Sequence, residues 1–227
     1  MQRLSTKSPL DKILDGGIEH AAVTNVYGEA GSGKSNLALL CTISVIEQGK
    51  KVIFIDTEGG FSFDRFDQLT NGRSHEYLSK VILLEPKNWE EQCKRIDELE
   101  KLVTNDVGLI VIDSIVTLYR LVLNDENYPQ VNRELSSQYA KLSSIAREKN
   151  IPVLVTNQVY SISGKLELIS RTIGKYWAKA LIKLEKLDRP NHRLATIVKH
   201  RSIPEGKSIE FEITRNGFKE VGRLSIF

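Results

Sequence analysis

With 227 residues, 41% hydrophobic and 27% charged, and a net charge of +3, the chain has the make-up of one soluble globular unit with a full core. No apolar run approaches the ~20 residues that span a bilayer, and the first residues lack the apolar centre of a secretory signal. Membrane and secreted classes are therefore excluded, and we expect a cytoplasmic protein with no membrane partner.

The first apolar run, Ala22 to Tyr27, is suited to a buried strand. It leads into Gly28-Glu29-Ala30-Gly31-Ser32-Gly33-Lys34-Ser35, which matches G-x-x-x-x-G-K-[ST]. Glycines at these positions let successive backbone N–H groups curl inward around an anion, and the helix that follows adds the positive end of its dipole. Leu37 to Ile46 is apolar nearly all round, as expected of a helix covered on both sides. Strand, loop and buried helix are the context this motif requires. In it Lys34 reaches the β- and γ-phosphates of a nucleotide and the Ser35 hydroxyl completes a Mg²⁺ shell. Asn36 opens the helix beside them. ATP and Mg²⁺ are the cofactors expected.

Further strands are read at Lys51–Asp56, Val81–Leu84, Val107–Asp113 and 151–156. Trp89–Val103 is helical, and Leu135, Tyr139, Leu142 and Ala146 mark a second amphipathic helix. Cys41 and Cys93 fall in helices with no metal-type spacing and are read as reduced packing residues. His20, His75, His192 and His200 are too scattered for a metal cluster. Continuous apolar strands separated by helices predict a mostly parallel sheet with helices on both faces. From Ala180 onward, Ala180–Leu187, Arg193–Lys199 and Ser208–Thr214 alternate apolar and polar residues. They predict an antiparallel C-terminal extension. One α/β domain over residues 1–227 is expected, with no repeat and no linker.

Ligands of parallel sheets collect beyond the carboxyl ends of the strands. Asp113 follows the most hydrophobic strand, where an acid holds Mg²⁺-bound water; a helix N-cap is the alternative reading. Glu58 lies just past Asp56, placed to activate a water, although turn chemistry at Gly59-Gly60 would also account for it. Gln158, after Thr156-Asn157, is placed to sense a γ-phosphate. Charge is uneven: residues 1–164 carry 18 Lys/Arg against 22 Asp/Glu, and residues 165–227 carry 14 against 7. The basic third reads either as a surface for a polyanion or as solvated strand edges guarded by lysines.

Taken together, Gly28–Ser35, Ile55–Phe61, Leu109–Ser114 and Thr156–Val159 resemble, in order and sheet position, the RecA/RadA-type recombinase ATPases. Leu4-Ser5-Thr6, Leu14 to Ile18 and Leu118-Tyr119-Arg120 are similar to the same family, so the resemblance covers nearly the whole chain. It is nearest to the short archaeal paralogues of RadA. The core begins almost at residue 1, so neither the helical N-terminal DNA-binding domain nor the polymerisation linker is expected. Lys199-His200-Arg201 resembles a basic tripeptide that these paralogues use on DNA.

The resemblance implies an RecA-like P-loop ATPase core with Glu58, Lys34 and Gln158 as its catalytic residues. It also implies Arg65 beside the adenine with Pro204 on the base's other side, and DNA contacts from Lys199, His200, Arg201, Lys165, Arg171 and Lys175. The second DNA loop of the family would run here from Val159 to about Lys175. The implied function is an ATP- and DNA-binding accessory protein of recombination with weak ATPase activity. Its implied partners are single-stranded or branched DNA, the RadA recombinase and a Holliday-junction resolvase, and a homodimer or small oligomer is expected. An active filament-forming recombinase is the alternative. A small-molecule kinase is a third reading, for which Arg193 and Arg201 are the only arginine pair available as a lid.

Overall fold

The computed structural model describes residues 2–162, 165–168 and 171–221. Strands β1 (Arg3–Leu4) and β2 (Ile18–Glu19) pair antiparallel around a 3-10 turn at Pro9–Lys12. The alternating core follows as β3 (Ala22–Gly28), α1 (Lys34–Glu47), β4 (Lys51–Asp56), α2 (Phe63–Leu69), α3 (Ser74–Leu78) and β5 (Val81–Leu84). It continues as α4 (Trp89–Leu102), β6 (Val107–Asp113), α5 (Thr117–Val122), α6 (Tyr128–Lys149) and β7 (Pro152–Asn157). A separate hairpin of β8 (Val159–Ile162) and β9 (Lys165–Leu168) leads to α7 (Arg171–Trp177). The chain then returns as β10 (Ala180–Lys186), β11 (His192–His200), β12 (Ser208–Thr214) and β13 (Gly217–Glu220).

Nine strands form one sheet in the order β13-β12-β11-β10-β3-β7-β6-β4-β5. From β10 to β5 all neighbours are parallel; β11, β12 and β13 extend the sheet antiparallel. The predicted fold class is thus the observed one, with one correction. Ala180–Lys186 is the junction rather than part of a purely antiparallel unit: it pairs parallel with β3 and antiparallel with β11. Its alternation reflects that half-wet position.

Side chains alternate across each strand and so divide the core in two. Val52, Phe54, Leu109 and Val111 pack with α1 residues Leu37 to Ile46 on one face. Ile53, Ile55, Ile110 and Ile112 pack with α4 and α6 residues Ile96, Leu99, Leu135 and Leu142 on the other. Each such fully buried apolar side chain contributes about 1.5–3 kcal/mol relative to exposure, and β6 carries no polar side chain before Asp113.

Helix ends follow local chemistry. Asn88 caps α4 by accepting from the Glu91 N–H at 2.9 Å, and the Glu91 carboxylate accepts from the Lys87 N–H at 2.9 Å. α6 ends at Asn150 in the left-handed region, two residues before Pro152. Helices α2, α3 and α5 and strand β13 are too short to rise above the periodicity of the sequence. α6 also begins at Tyr128, earlier than its apolar face, because Pro129 sits in its first turn. The segment expected to be a plain loop after Asn157 instead holds the β8–β9 hairpin and α7. No helix among the described residues is long and apolar enough to cross a membrane.

Candidate functional site

Because β3, β7, β6 and β4 lie side by side and parallel, their carboxyl ends open at one edge of the sheet. Asp56 is level with Asp113, and Tyr27 with Asn157, so the residues beyond these tips converge. A cleft of about 200 Å³ there is lined by Ala30, Gly31, Gly33, Lys34, Ser35, Asn36, Glu58 and Gln158. Larger depressions of about 490 Å³ beside Trp89 and about 550 Å³ beside Arg215 lack such a convergence of lysine, carboxylate and amide.

The loop is built by its glycines. A Cβ on Gly28 would lie 2.2 Å from the Leu184 carbonyl oxygen. Gly33 holds φ +105° at the N-cap of α1 against Phe218 of β13. Lys34 is 8% exposed and donates to the Gly28 and Glu29 carbonyls at 2.9 and 2.8 Å. Burial pushes its ammonium below the usual lysine range, opposed by Asp113 and Glu58. Ser32 Oγ is buried with no hydrogen-bond partner.

Asp113 closes β6 and is not a helix N-cap; α5 starts at Thr117, with Val116 as its cap. Burial pushes its carboxyl up, while hydrogen bonds from Ser35 and Thr156 favour the ionised form. Ser35 and Asp113 are thus adjacent, a hard oxygen pair of the kind Mg²⁺ takes alongside phosphate and water. A buried cation, a partnerless hydroxyl, a glycine cradle and this oxygen pair fit a Mg²⁺–triphosphate.

Glu58 and Gln158 come from different strand tips and touch: Gln158 Nε2 donates to Glu58 Oε1 at 2.7 Å. Thr117 of α5 donates to the same oxygen at 2.7 Å. Asp56 accepts from the N–H groups of Glu58, Gly60 and Phe61, at 3.1, 3.1 and 2.8 Å, and so shapes the loop that presents Glu58. The turn reading of that segment is accordingly satisfied by Asp56, which leaves the Glu58 side chain to the cleft.

Arg65 lies beside the first turn of α1. It donates to Asn36 Oδ1 at 2.6 Å and to the carbonyls of Thr214 and Arg215 at 2.8 and 2.9 Å. Pro204 does not face it. β11 runs from Arg193 at the cleft edge to His200 at the far edge, and Pro204 follows in the turn beyond. Seven residues of strand put roughly 23 Å between those ends, so within one chain Pro204 cannot flank a base held at Arg65.

The basic tripeptide sits at that far edge as well. Lys199 donates to the carbonyls of Lys175 and Ala178 at 2.6 and 2.9 Å, which brings it beside exposed Lys175 and Lys179. The His200 side chain is 1% exposed beside Glu19, and burial lowers its pKa. Arg201 pairs at 2.5 Å with Glu19, a carboxylate 1% exposed that Arg3 and Ser202 also approach. Of the three residues expected at DNA, Lys199 thus stands in a lysine cluster, while the part-exposed Arg201 is paired with buried Glu19. The side chains of Lys165 and Arg171 lie outside the described residues.

Sequence reasoning missed Asp56, Arg120, Lys179, Lys186 and the role of Arg193. Lys186, at the end of β10, bears on Lys34 and lies near Gly31. Arg193 donates twice to the Gly31 carbonyl. Only Asp56, at a strand tip, carried a signal legible beforehand.

A parallel core in this strand order, a phosphate-type loop after β3 and polar residues at three neighbouring tips define the RecA-like fold. The model of the Rad51 family matches residues 1–221. The chain is 44% identical over 221 residues to the DNA repair and recombination protein RadB of Methanococcoides burtonii, covering 96% of this chain and 97% of that one. It is 39% identical over 223 residues to the RadB of Methanobrevibacter smithii, covering 95% and 94%. A crystal structure of the RadB recombinase superposes with a TM-score of 0.83 at 39% identity, covering 96% of this chain and all of that one. The chain belongs to the Rad51 family.

Proposed function

We propose that this chain binds ATP with Mg²⁺ in the cleft, hydrolyses it weakly, and works on DNA as an accessory protein of repair and homologous recombination. The observation that carries the nucleotide reading is the meeting of Lys34, Glu58 and Gln158 over one glycine cradle. When bound, Mg²⁺ neutralises developing phosphate charge. Lys34, now turned onto two loop carbonyls, is the cation that would exchange them for phosphate oxygens. Ser35 and Asp113 would hold the metal, Glu58 would accept a proton from water, and Gln158 would donate to the terminal phosphate.

Weak turnover follows from Glu58 itself. Its Oε1 accepts from Thr117 even after Gln158 turns to the phosphate, and that remaining hydrogen bond lowers its power as a base. The DNA role rests on the relatives, which are named as repair and recombination proteins, and on the Lys175, Lys179 and Lys199 cluster. A mediator role beside RadA, including the processing of branched DNA with a junction resolvase, suits an ATP-responsive protein of low turnover better than strand exchange. A homodimer or small oligomer is the state we propose. A kinase is disfavoured, since Arg193 is held on Gly31 and Arg201 on Glu19 at opposite edges, so they form no lid pair.

The test is equilibrium binding of ATP and of single-stranded and branched DNA, with ATPase rate and particle size measured together. Slow hydrolysis indifferent to DNA on a small species supports the reading. A fast DNA-dependent rate on a regular filament would replace it with an active recombinase.

A further inference from the structure

Arg120 stands on the exposed side of α5, outside the cleft, yet donates to Gln158 Oε1 at 3.0 Å. A guanidinium has donors only. It therefore settles which way the Gln158 amide faces: oxygen to Arg120, NH2 to Glu58. That is the orientation in which Gln158 can donate to a phosphate; the flipped amide would present an oxygen to an anion. The same short helix carries Thr117, which grips Glu58 and lies 3.0 Å from Ser114 Oγ at the tip of β6. So α5 holds both residues facing the terminal phosphate position, one through a hydroxyl and one through a guanidinium.

We propose that Arg120 is a positioning residue that sets the Gln158 amide, and that the Arg120–Gln158–Glu58–Thr117 relay couples the phosphate site to α5. The inference rests on the nucleotide reading above. A terminal phosphate is a competing acceptor for the Gln158 NH2. Once that NH2 leaves Glu58, the carboxylate is held by Thr117 alone, and Arg120 follows the amide. Both contacts reach the same helix, so α5 shifts with occupancy of the cleft. The moving surface includes Leu121, 77% exposed, next to Arg120.

The molecule carries its own reporter. Trp89 packs edge to face on Tyr119 of α5, with ring centroids 5.8 Å apart, and the chain has only one other tryptophan, Trp177. In full-length protein with Trp177→Phe, Mg²⁺ and a non-hydrolysable ATP analogue should change Trp89 emission. Adding Arg120→Ala should abolish that change while analogue affinity, measured by calorimetry, falls by no more than it does in Gln158→Ala; Arg120→Lys should restore part of both. Gln158→Ala should abolish the emission change too, and the double variant should lose nothing more, since both act through one contact. An undiminished change in Arg120→Ala, or no change in the parent at saturating analogue, would overturn the inference. Failure of the parent to bind analogue at all would instead bring down the nucleotide reading, and the inference with it.

Discussion

Arg193 donates Nε and Nη2 to the single carbonyl of Gly31, at 3.0 and 2.8 Å. This ties β11 to the apex of the phosphate loop, where Gly31 holds φ +74°. A carbonyl engaged by a guanidinium is an acceptor neutralised beside an anion site. Arg193→Ala should weaken ATP-analogue affinity roughly three- to tenfold, the scale of one hydrogen bond at a partly exposed site. Calorimetric titration checks it; unchanged affinity would mean that the apex needs no tether.

Asp113 should trade stability for function. Its folded pKa lies above the unfolded value because of burial. Between those two values the folded state holds the extra proton, so stability falls as pH rises through that window and stays lower above it. Asp113→Asn removes the buried charge at similar volume. We expect the ligand-free variant to be more stable at neutral pH by about 0.5–2 kcal/mol, with the gain shrinking as pH drops towards the ordinary carboxylate range. Thermal melts at several pH values read this directly. Mg²⁺-dependent ATP binding should fall in the same variant.

Lys34→Ala and Glu58→Gln should separate binding from turnover. Loss of a charge-assisted contact to phosphate should cost Lys34→Ala about 10–100-fold in ATP affinity. Glu58→Gln should keep affinity and lose about a hundredfold or more of whatever hydrolysis the parent shows. Equal affinity of Lys34→Ala and parent would place the nucleotide elsewhere.

The basic tripeptide calls for two different variants. Arg201→Ala strips a partner from buried Glu19. It should lower unfolding free energy by about 1–3 kcal/mol, less than a fully buried pair because Arg201 is part-exposed and Arg3 and Ser202 remain. Lys199→Ala should melt within a few degrees of the parent. If the lysine cluster meets DNA, this variant loses affinity and its salt dependence flattens by about one counterion. A fall in DNA binding seen only with Arg201→Ala, in step with its melting temperature, would point to damage to the fold.

Much of this site was legible in the sequence because its parts are local. The apolar run runs straight into the glycine-lysine loop, and each polar tip residue directly follows its own apolar strand. Asp113 and Gln158 could be named from their strand tips alone. The free state of Lys199-His200-Arg201 could not, since it depends on Glu19 and on the end of α7. The separation of Pro204 from Arg65 within one chain was hidden for a similar reason: it is set by the direction of β11, which composition does not encode.

By itself the sequence determined the strand-loop-helix that cradles phosphate, the parallel core and the family, since backbone sterics at glycine and burial periodicity act over a handful of residues. Tertiary structure alone decided which tips are neighbours, that Glu58 meets Gln158 across 100 positions, and that Arg201 serves Glu19 across 182. Such pairings arise from strand order and register, and these minimise free energy over the whole chain rather than within any stretch of it.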